Sequence, residues 1–417
     1  MHDRPKPPPR HNTIGRPASL WVPFGLAAAP MVSLGLARFG YALLLPSMRA
    51  NLDWSYAQAG AMNTVNAAGY LAGAAVTGII AAQIGNRITF LVGLFGTAAA
   101  LMLSAAVSQF KLLLLLRAAA GFCGALAFVI GAMLAAEAGT NSGRERQSLF
   151  IAIYFGGGGL GVALSSLIIP IVLAGGPDGW RWGWFGFSIV SILAGLLAIP
   201  ALNIDETGRI ANADADADAE EKPSKPVSLV PIFAAYGLFG AGYIAYMTFI
   251  VAHLRSRGFD SGGISVFWIM LGLTSAISSF FWARIIAHLR GGWPMLVVLL
   301  MNAAGALAPL LAHQTYLVFV SAALFGASLM AAPSAMTAFV RYSRPRREWT
   351  KTIGNMTVLF GLGQCAGPLL AGALSDGEGG IGLGLKLSVS LLLLAAFAAA
   401  FQREHPDQAP HIRGLED

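Results

Sequence analysis

Charge is scarce in this chain. Asp, Glu, Lys and Arg make up 11% of its 417 residues, against roughly 25% in an average soluble domain. So few charges cannot cover a water-facing surface, which excludes a soluble globular protein. Cysteine is scarcer still. Cys123 and Cys365 lie far apart, each inside an apolar run, so neither a disulfide framework nor a metal site is expected. No Walker lysine follows any glycine run, so ATP drive within this chain is not indicated. The seven histidines are dispersed, whereas a membrane enzyme would want a His/Asp cluster at one interface. Carboxylates are missing from the middle of every long apolar run, where many proton-coupled carriers keep one. The expectation is a non-enzyme with no cofactor and no metal.

Apolar sequence is abundant. Hydrophobic residues reach 56% and the mean hydropathy is +0.65. At roughly 20 apolar residues per crossing, this is material for about twelve spans. The runs are long and continuous, unlike the roughly ten-residue alternating segments of a transmembrane barrel. Spans are expected at 20–46, 55–81, 88–108, 111–137, 147–173 and 183–202, then at 228–254, 263–289, 294–312, 316–340, 350–374 and 383–401. Residues 1–19 are polar and proline-rich and lack the apolar core of a signal peptide, so they read as a disordered cytoplasmic tail. Residues 203–227 include the run DADADAEE and hold seven of the 20 acidic residues, a composition that cannot bury a core and reads as a solvated linker. The expected domains are a tail (1–19), a six-helix half (20–202), an acidic cytoplasmic linker (203–227), a second six-helix half (228–401) and a C-terminal tail (402–417).

Positive charge sets the expected orientation. With the N-terminus inside, nineteen Lys and Arg fall in inner segments and six in outer ones (Arg49, Lys111, Arg181, Arg255, Arg257 and Lys386). Such a bias places both termini in the cytoplasm. Seven of nine tryptophans (Trp21, Trp54, Trp180, Trp182, Trp184, Trp293 and Trp349) fall at predicted helix ends, as interfacial anchors should.

The two halves also resemble each other. Gly40-Tyr41 recurs as Gly242-Tyr243, an offset of 202. Leu52-Asp53 is matched by Phe259-Asp260 at 207, and FGGGGLG from Phe155 by FGLGQCAG from Phe360 at 205. Three pairs in order favour a six-plus-six duplication, the architecture of a rocking transporter with its site between the halves near the midplane. The glycines Gly156, Gly158 and Gly161 also satisfy G-x-G-x-x-G. A dinucleotide site needs a βαβ unit around that motif, so close helix packing is the expected role.

At these residues the chain resembles the major facilitator superfamily over about 20–401. GIIAAQIGNR, from Gly78 to Arg87, is similar to that superfamily's loop signature G-x-L-A-D-R-x-G-R-R/K, matching at Gly78, Ala81, Gly85 and Arg87. It departs at Ala82, where the family has aspartate, and at Gln83, where it has a basic residue. The departure puts the family's cytoplasmic salt-bridge latch in question. Arg117-Ala-Ala-Ala-Gly121 is similar to the family's R-x-x-x-G. LARFGYALLLPSMR and GQCAGPLLAG resemble the bacterial YbfB/YjiJ-type branch. The resemblance implies an all-α fold of twelve transmembrane helices in two pseudo-symmetric halves. It also implies a secondary carrier in the bacterial inner membrane.

Intramembrane polar residues are the site candidates. Arg38 lies deep in the first span, too far from either end for effortless snorkelling. A charge there faces a cavity or a partner, because burying it alone costs at least about 2.5 kcal/mol. It reads as a cavity arginine for a carboxylate or phosphate, or as one bonded to carbonyls of a broken neighbouring helix. Tyr41 shares its face. Arg117 reads as functional or as snorkelling toward Lys111. Asn63, Asn66 and Tyr70 occupy one helix face, lining the site or hydrogen-bonding between helices. Tyr243 and Tyr246, with Tyr236, sit among Gly237, Gly240 and Gly242. Gln364 and Trp268 are further candidates, Trp268 favoured as packing. Arg87, Arg117 and Glu137 are the gating or coupling candidates, with His253 as an alternative proton group. The expected function is alternating-access transport of a small organic solute, leaning to an organic anion because Arg38 has no carboxylate partner. The alternatives are a proton-coupled exporter of sugars or drugs and a non-transporting membrane sensor. A small-molecule substrate, membrane lipid and a proton are the expected partners. Nucleic acid is not expected, and the expected state is a monomer.

Overall fold

The computed structural model describes residues 19–140, 144–202, 228–311 and 314–402. The expected linker 203–227 and all but the innermost residue of each expected tail lie outside them. Among the described residues, twelve helices are long and apolar enough to cross a membrane. The first half is α1 (Trp21–Asn51), α2 (Tyr56–Ile84), α3 (Asn86–Ala106), α4 (Phe110–Thr140), α5 (Arg144–Leu173) and α6 (Gly179–Leu202). The second is α7 (Val230–Ser256), α8 (Ser261–His288), α9 (Trp293–Leu311), α10 (Thr315–Ser343), α11 (Arg346–Ser375) and α12 (Gly380–Ala400). Each overlaps its expected span. The largest difference is at α1, expected to stop at 46 and running on to Asn51 through Pro46.

Helices must carry the backbone across a bilayer, because no water there satisfies free N–H and C=O groups. Within each half the helices pack on one another: α2 and α3 against α4, and α7 against α11 and α12. Across the halves, α2 packs on α11, α5 on α8 and the second part of α1 on α7. We call the end where α1 begins and α12 finishes the near face, and the opposite end the far face.

The glycine run FGGGGLG lies inside α5, with no strand before it. Gly159 meets Gly272 of α8 so closely that a Cβ on either would collide with the other's carbonyl oxygen, and a Cβ on Gly35 of α1 or on Gly161 would collide with the other's Cα. These glycines let helices touch backbone to backbone. Gly85, in the signature loop between α2 and α3, takes a φ of 83° that favours glycine.

The tryptophans depart from the anchor expectation. Trp21, Trp182 and Trp293 are exposed, but Trp54, Trp180 and Trp184 are buried. Each buried ring has found an internal partner. Trp54 meets Phe110 edge-on, Trp180 donates its indole N–H to Asn51 Oδ1 at 2.9 Å, and Trp184 stacks on Tyr41. Position at a helix end does not decide whether an indole faces lipid or a neighbouring helix.

Candidate substrate site

Two arginines are buried in the first half, and they are held differently. Arg38 lies at the end of a π-helical stretch of α1, Met31–Phe39, that follows Pro30. Proline removes an amide donor and crowds the preceding turn, and the helix beyond it is wound wider, with Gly40 N–H reaching the Gly35 carbonyl at 2.9 Å. Segments of π-helix are frequent at functional sites. Arg38 is 2% exposed, and its Nε and Nη2 have no hydrogen-bond partner. Its guanidinium stands 5.9 Å from the centre of the Tyr70 ring. The second half is close by: Leu71, next to Tyr70, lies 3.1 Å from where a Cβ on Gly361 of α11 would sit.

Arg117 is fully buried, and each of its three guanidinium nitrogens has an acceptor. Nη1 donates to the Ala37 carbonyl of α1, Nη2 to Asn63 Oδ1 at 3.1 Å and Nε to the Met62 carbonyl at 3.5 Å. The Tyr41 and Trp184 rings lie 5.2 and 5.3 Å from it. The side chain turns inward onto α1 and α2, not outward toward Lys111, so snorkelling does not describe it. The carbonyl-bonded reading offered for Arg38 belongs to Arg117. Among the described residues no Asp or Glu is buried, so two cations share this region without an internal counter-charge.

The asparagines serve that frame. Asn66 Nδ2 donates to the Arg117 carbonyl at 3.0 Å. Asn63 accepts from Arg117 and donates through Nδ2 to Thr248 Oγ1 of α7 at 2.8 Å, joining the halves. Tyr41 donates its hydroxyl to the Ala59 carbonyl at 2.9 Å. Tyr70 is only partly buried and meets Phe128 edge-on.

In the second half Gln364 of α11 donates through Nε2 to the Tyr243 hydroxyl. Tyr243 belongs to an aromatic array with Tyr236 and Phe239 of α7 and Phe360 of α11. Tyr246 is turned elsewhere: its hydroxyl pairs with Ser321 at 2.6 Å and its ring stacks on Phe325, both in α10. Trp268 is wholly buried. His253 is buried three turns beyond Tyr243, toward the far end of α7. Arg87 and Glu137 are exposed toward the near face, and no ion pair joins them. The structure therefore sets Arg38 beside Tyr70 and Gln364 beside Tyr243, gives Tyr41, Asn63, Asn66 and Arg117 to the supporting frame, and turns Tyr246, Arg87 and Glu137 elsewhere. Sequence reasoning passed over Phe239 and Phe360. The signal was there for Phe239, since 236, 239 and 243 fall on one helix face.

The far ends of the halves are tied as well. Thr64 donates to the Cys365 carbonyl at 2.7 Å and Ser265 to the Ser166 carbonyl at 3.1 Å. At the rim, both carboxylate oxygens of Asp376, just past α11, accept backbone amides of α2: Tyr56 at 2.6 Å and Ala57 at 2.9 Å.

Residues 30–400 match the model of a family described as "Uncharacterised MFS-type transporter YbfB". No curated protein matches the chain. Among solved structures, the nucleoside transporter NupG is similar with a TM-score of 0.70, at 14% identity over 92% of this chain and 99% of that one. A bacterial homologue of the human lysosomal transporter Spinster, inward-facing and occupied, gives a TM-score of 0.65, at 15% identity over 93% and 96%. The human organic anion transporter MFSD10 gives 0.60, at 18% identity over 94% and 100%. At these identities the likeness is one of fold.

Proposed function

The chain belongs to the YbfB-type family of major facilitator superfamily transporters, and on that premise we propose that it carries a small organic anion by alternating access, with Arg38 as the group that meets the charge. It is a multi-pass membrane transporter and not an enzyme. The observation that carries the anion reading is the unpartnered guanidinium: Arg38 is buried with two free donors, beside an Arg117 whose nitrogens all have acceptors and, among the described residues, no buried carboxylate. An uncompensated buried charge is costly. An incoming carboxylate or phosphate supplies the missing partner in the bidentate geometry that guanidinium favours.

A thermal-shift screen of wild-type and Arg38→Gln protein against organic acids, sugars and amphipathic cations tests this, because a ligand stabilises the state it binds by mass action. Acids are expected to raise the wild-type melting temperature. Affinity for any such acid should fall at least about thirtyfold in Arg38→Gln, or roughly 2 kcal/mol for a desolvated charged pair. Arg38→Lys keeps the charge without the fork and should lose less. Hits confined to neutral or cationic solutes, or acids that bind the variant equally, would overturn the reading.

We place the near face in the cytoplasm of a bacterial inner membrane. Nineteen Lys and Arg lie in the segments on that side and six on the other, which is the bias that orients membrane helices. Single cysteines put at 205–225 should react with a membrane-impermeant maleimide only after the cells are opened. Labelling of intact cells would reverse the orientation.

A further inference from the structure

Resting on the anion reading of Arg38, we infer that the solute is a flat aromatic anion, its charge on Arg38 and its ring against the array formed by α7 and α11. The array has a geometry of its own. Tyr236, Phe239 and Tyr243 recur at three- and four-residue steps on one face of α7, and Phe360 of α11 lies against all three, with centroids 4.6, 5.8 and 5.7 Å away. Within the array the interplanar angles run from 1° to 22°. Around Tyr70 in the first half the aromatic contacts are steeper: Tyr70–Phe128 meets at 64°, Phe128–Tyr154 at 53° and Tyr154–Phe155 at 77°. Edge-on contacts knit helices together in a sealed core. Parallel rings present a flat slab, and offset stacking on such a slab favours another flat ring.

Tyr236, Phe239 and Tyr243 are buried, so the slab is open at Phe360. Phe360 and Tyr70 are only partly buried. The Tyr243 hydroxyl, held by Gln364, gives the slab a polar edge. Arg38 stands 5.9 Å from the centre of the Tyr70 ring, and Leu71, next to Tyr70, lies 3.1 Å from where a Cβ on Gly361, next to Phe360, would sit. The first half thus offers a free cation and one tyrosine, and the second a flat apolar wall with a hydrogen-bonding edge. A planar ring bearing one carboxylate has both complements. A saturated ring of equal charge and carbon count satisfies Arg38 but not the slab.

Calorimetric titration of the full chain in lipid nanodiscs, with empty discs as blanks, distinguishes these. The probes are 2-naphthoate, its fully saturated decahydro analogue and the uncharged 2-naphthamide. Naphthoate should bind the wild type about three- to tenfold more tightly than the saturated acid, the range expected of one aromatic stacking contact. Phe360→Leu should bring that ratio to one while the saturated acid binds as before, and Phe360→Tyr, which keeps the ring, should keep the ratio. Both acids should be lost in Arg38→Gln, and the amide should bind no variant differently from another at position 38. If the two acids bind the wild type equally, or Phe360→Leu weakens both alike, the aromatic inference fails and the Arg38 reading stands. If Arg38→Gln binds both acids as the wild type does, the anion reading fails, while the Phe360 ratio still judges the ring. No binding by any probe at millimolar concentration overturns the inference.

Discussion

Arg117→Gln should lower the melting temperature of the unliganded protein by at least about 5 °C, the fall expected when three buried acceptors lose their donor at about 1–3 kcal/mol each. Arg38→Gln, at the same depth, should leave it within about 2 °C of wild type or raise it, because an unpartnered buried charge has gone. The contrast follows from what each guanidinium touches. Arg117 ties the Ala37 carbonyl of α1 to Met62 and Asn63 of α2 from its place on α4. Glutamine is too short to span the three acceptors. Each one stranded in a buried setting costs about 1–3 kcal/mol. Asn63 would lose the contact that orients its amide toward Thr248, so the damage should reach the joint between the halves. Arg38 has two donors without acceptors, so nothing is stranded when it leaves. Melting curves of the two variants in the same lipid decide this without any ligand. Equal losses in both would make Arg38 a second structural clamp. Equal indifference would empty Arg117 of its structural role.

The sequence shows the fold far more fully than the site, and the reason is physical. A bilayer demands long apolar helices, so the twelve spans are written in composition. The pairing of the halves is written in repeated short motifs such as Gly40-Tyr41 and Gly242-Tyr243. Which way a buried polar side chain turns is set by neighbours far away in the chain. Arg38 and Arg117 look alike as lone arginines in apolar runs. One has an acceptor at each nitrogen and the other is free because the Ala37 carbonyl and Asn63 lie within reach of α4. Tyr243 and Tyr246 differ by one helical turn. The first nonetheless faces Gln364 of α11 and the second Ser321 of α10. Trp184 sits near a helix end, where an indole is expected to face lipid, and is buried against Tyr41 instead. The link between Asp376 and the start of α2 joins residues more than 300 positions apart in sequence, a distance no local pattern spans.

That last contact should govern the balance between the two faces. The first amides of a helix have no intrahelical acceptor. In α2, Ser55 takes the Gln58 amide within a capping box, and Asp376 takes those of Tyr56 and Ala57. The far face of α2 is therefore capped by the opposite half of the protein. α8, the corresponding helix, is capped by its own Asp260, which accepts from Gly263 N–H at 2.8 Å. A cap contributes about 0.5–2 kcal/mol, and a carboxylate at a helix N-terminus adds roughly 0.3–1 kcal/mol through the dipole. Because Asp376 reaches α2 only while the halves meet at the far face, its loss acts on the closed state and not on the fold of either half. A state-specific bond shifts a two-state equilibrium by its own free energy. Removing about 1.4 kcal/mol multiplies the open fraction tenfold. Spin labels at Lys111 and Glu378, exposed on opposite halves at the far face, would read this as a distance distribution, with Cys123 and Cys365 replaced by alanine. Asp376→Ala should move population to the longer distance by about tenfold. Asp376→Asn, which keeps one acceptor and loses the charge, should lie between it and wild type, and the melting temperature should change little because these amides reach water once freed. An unchanged distribution in Asp376→Ala would show that the far face is held shut by the packing of α2 on α11 alone.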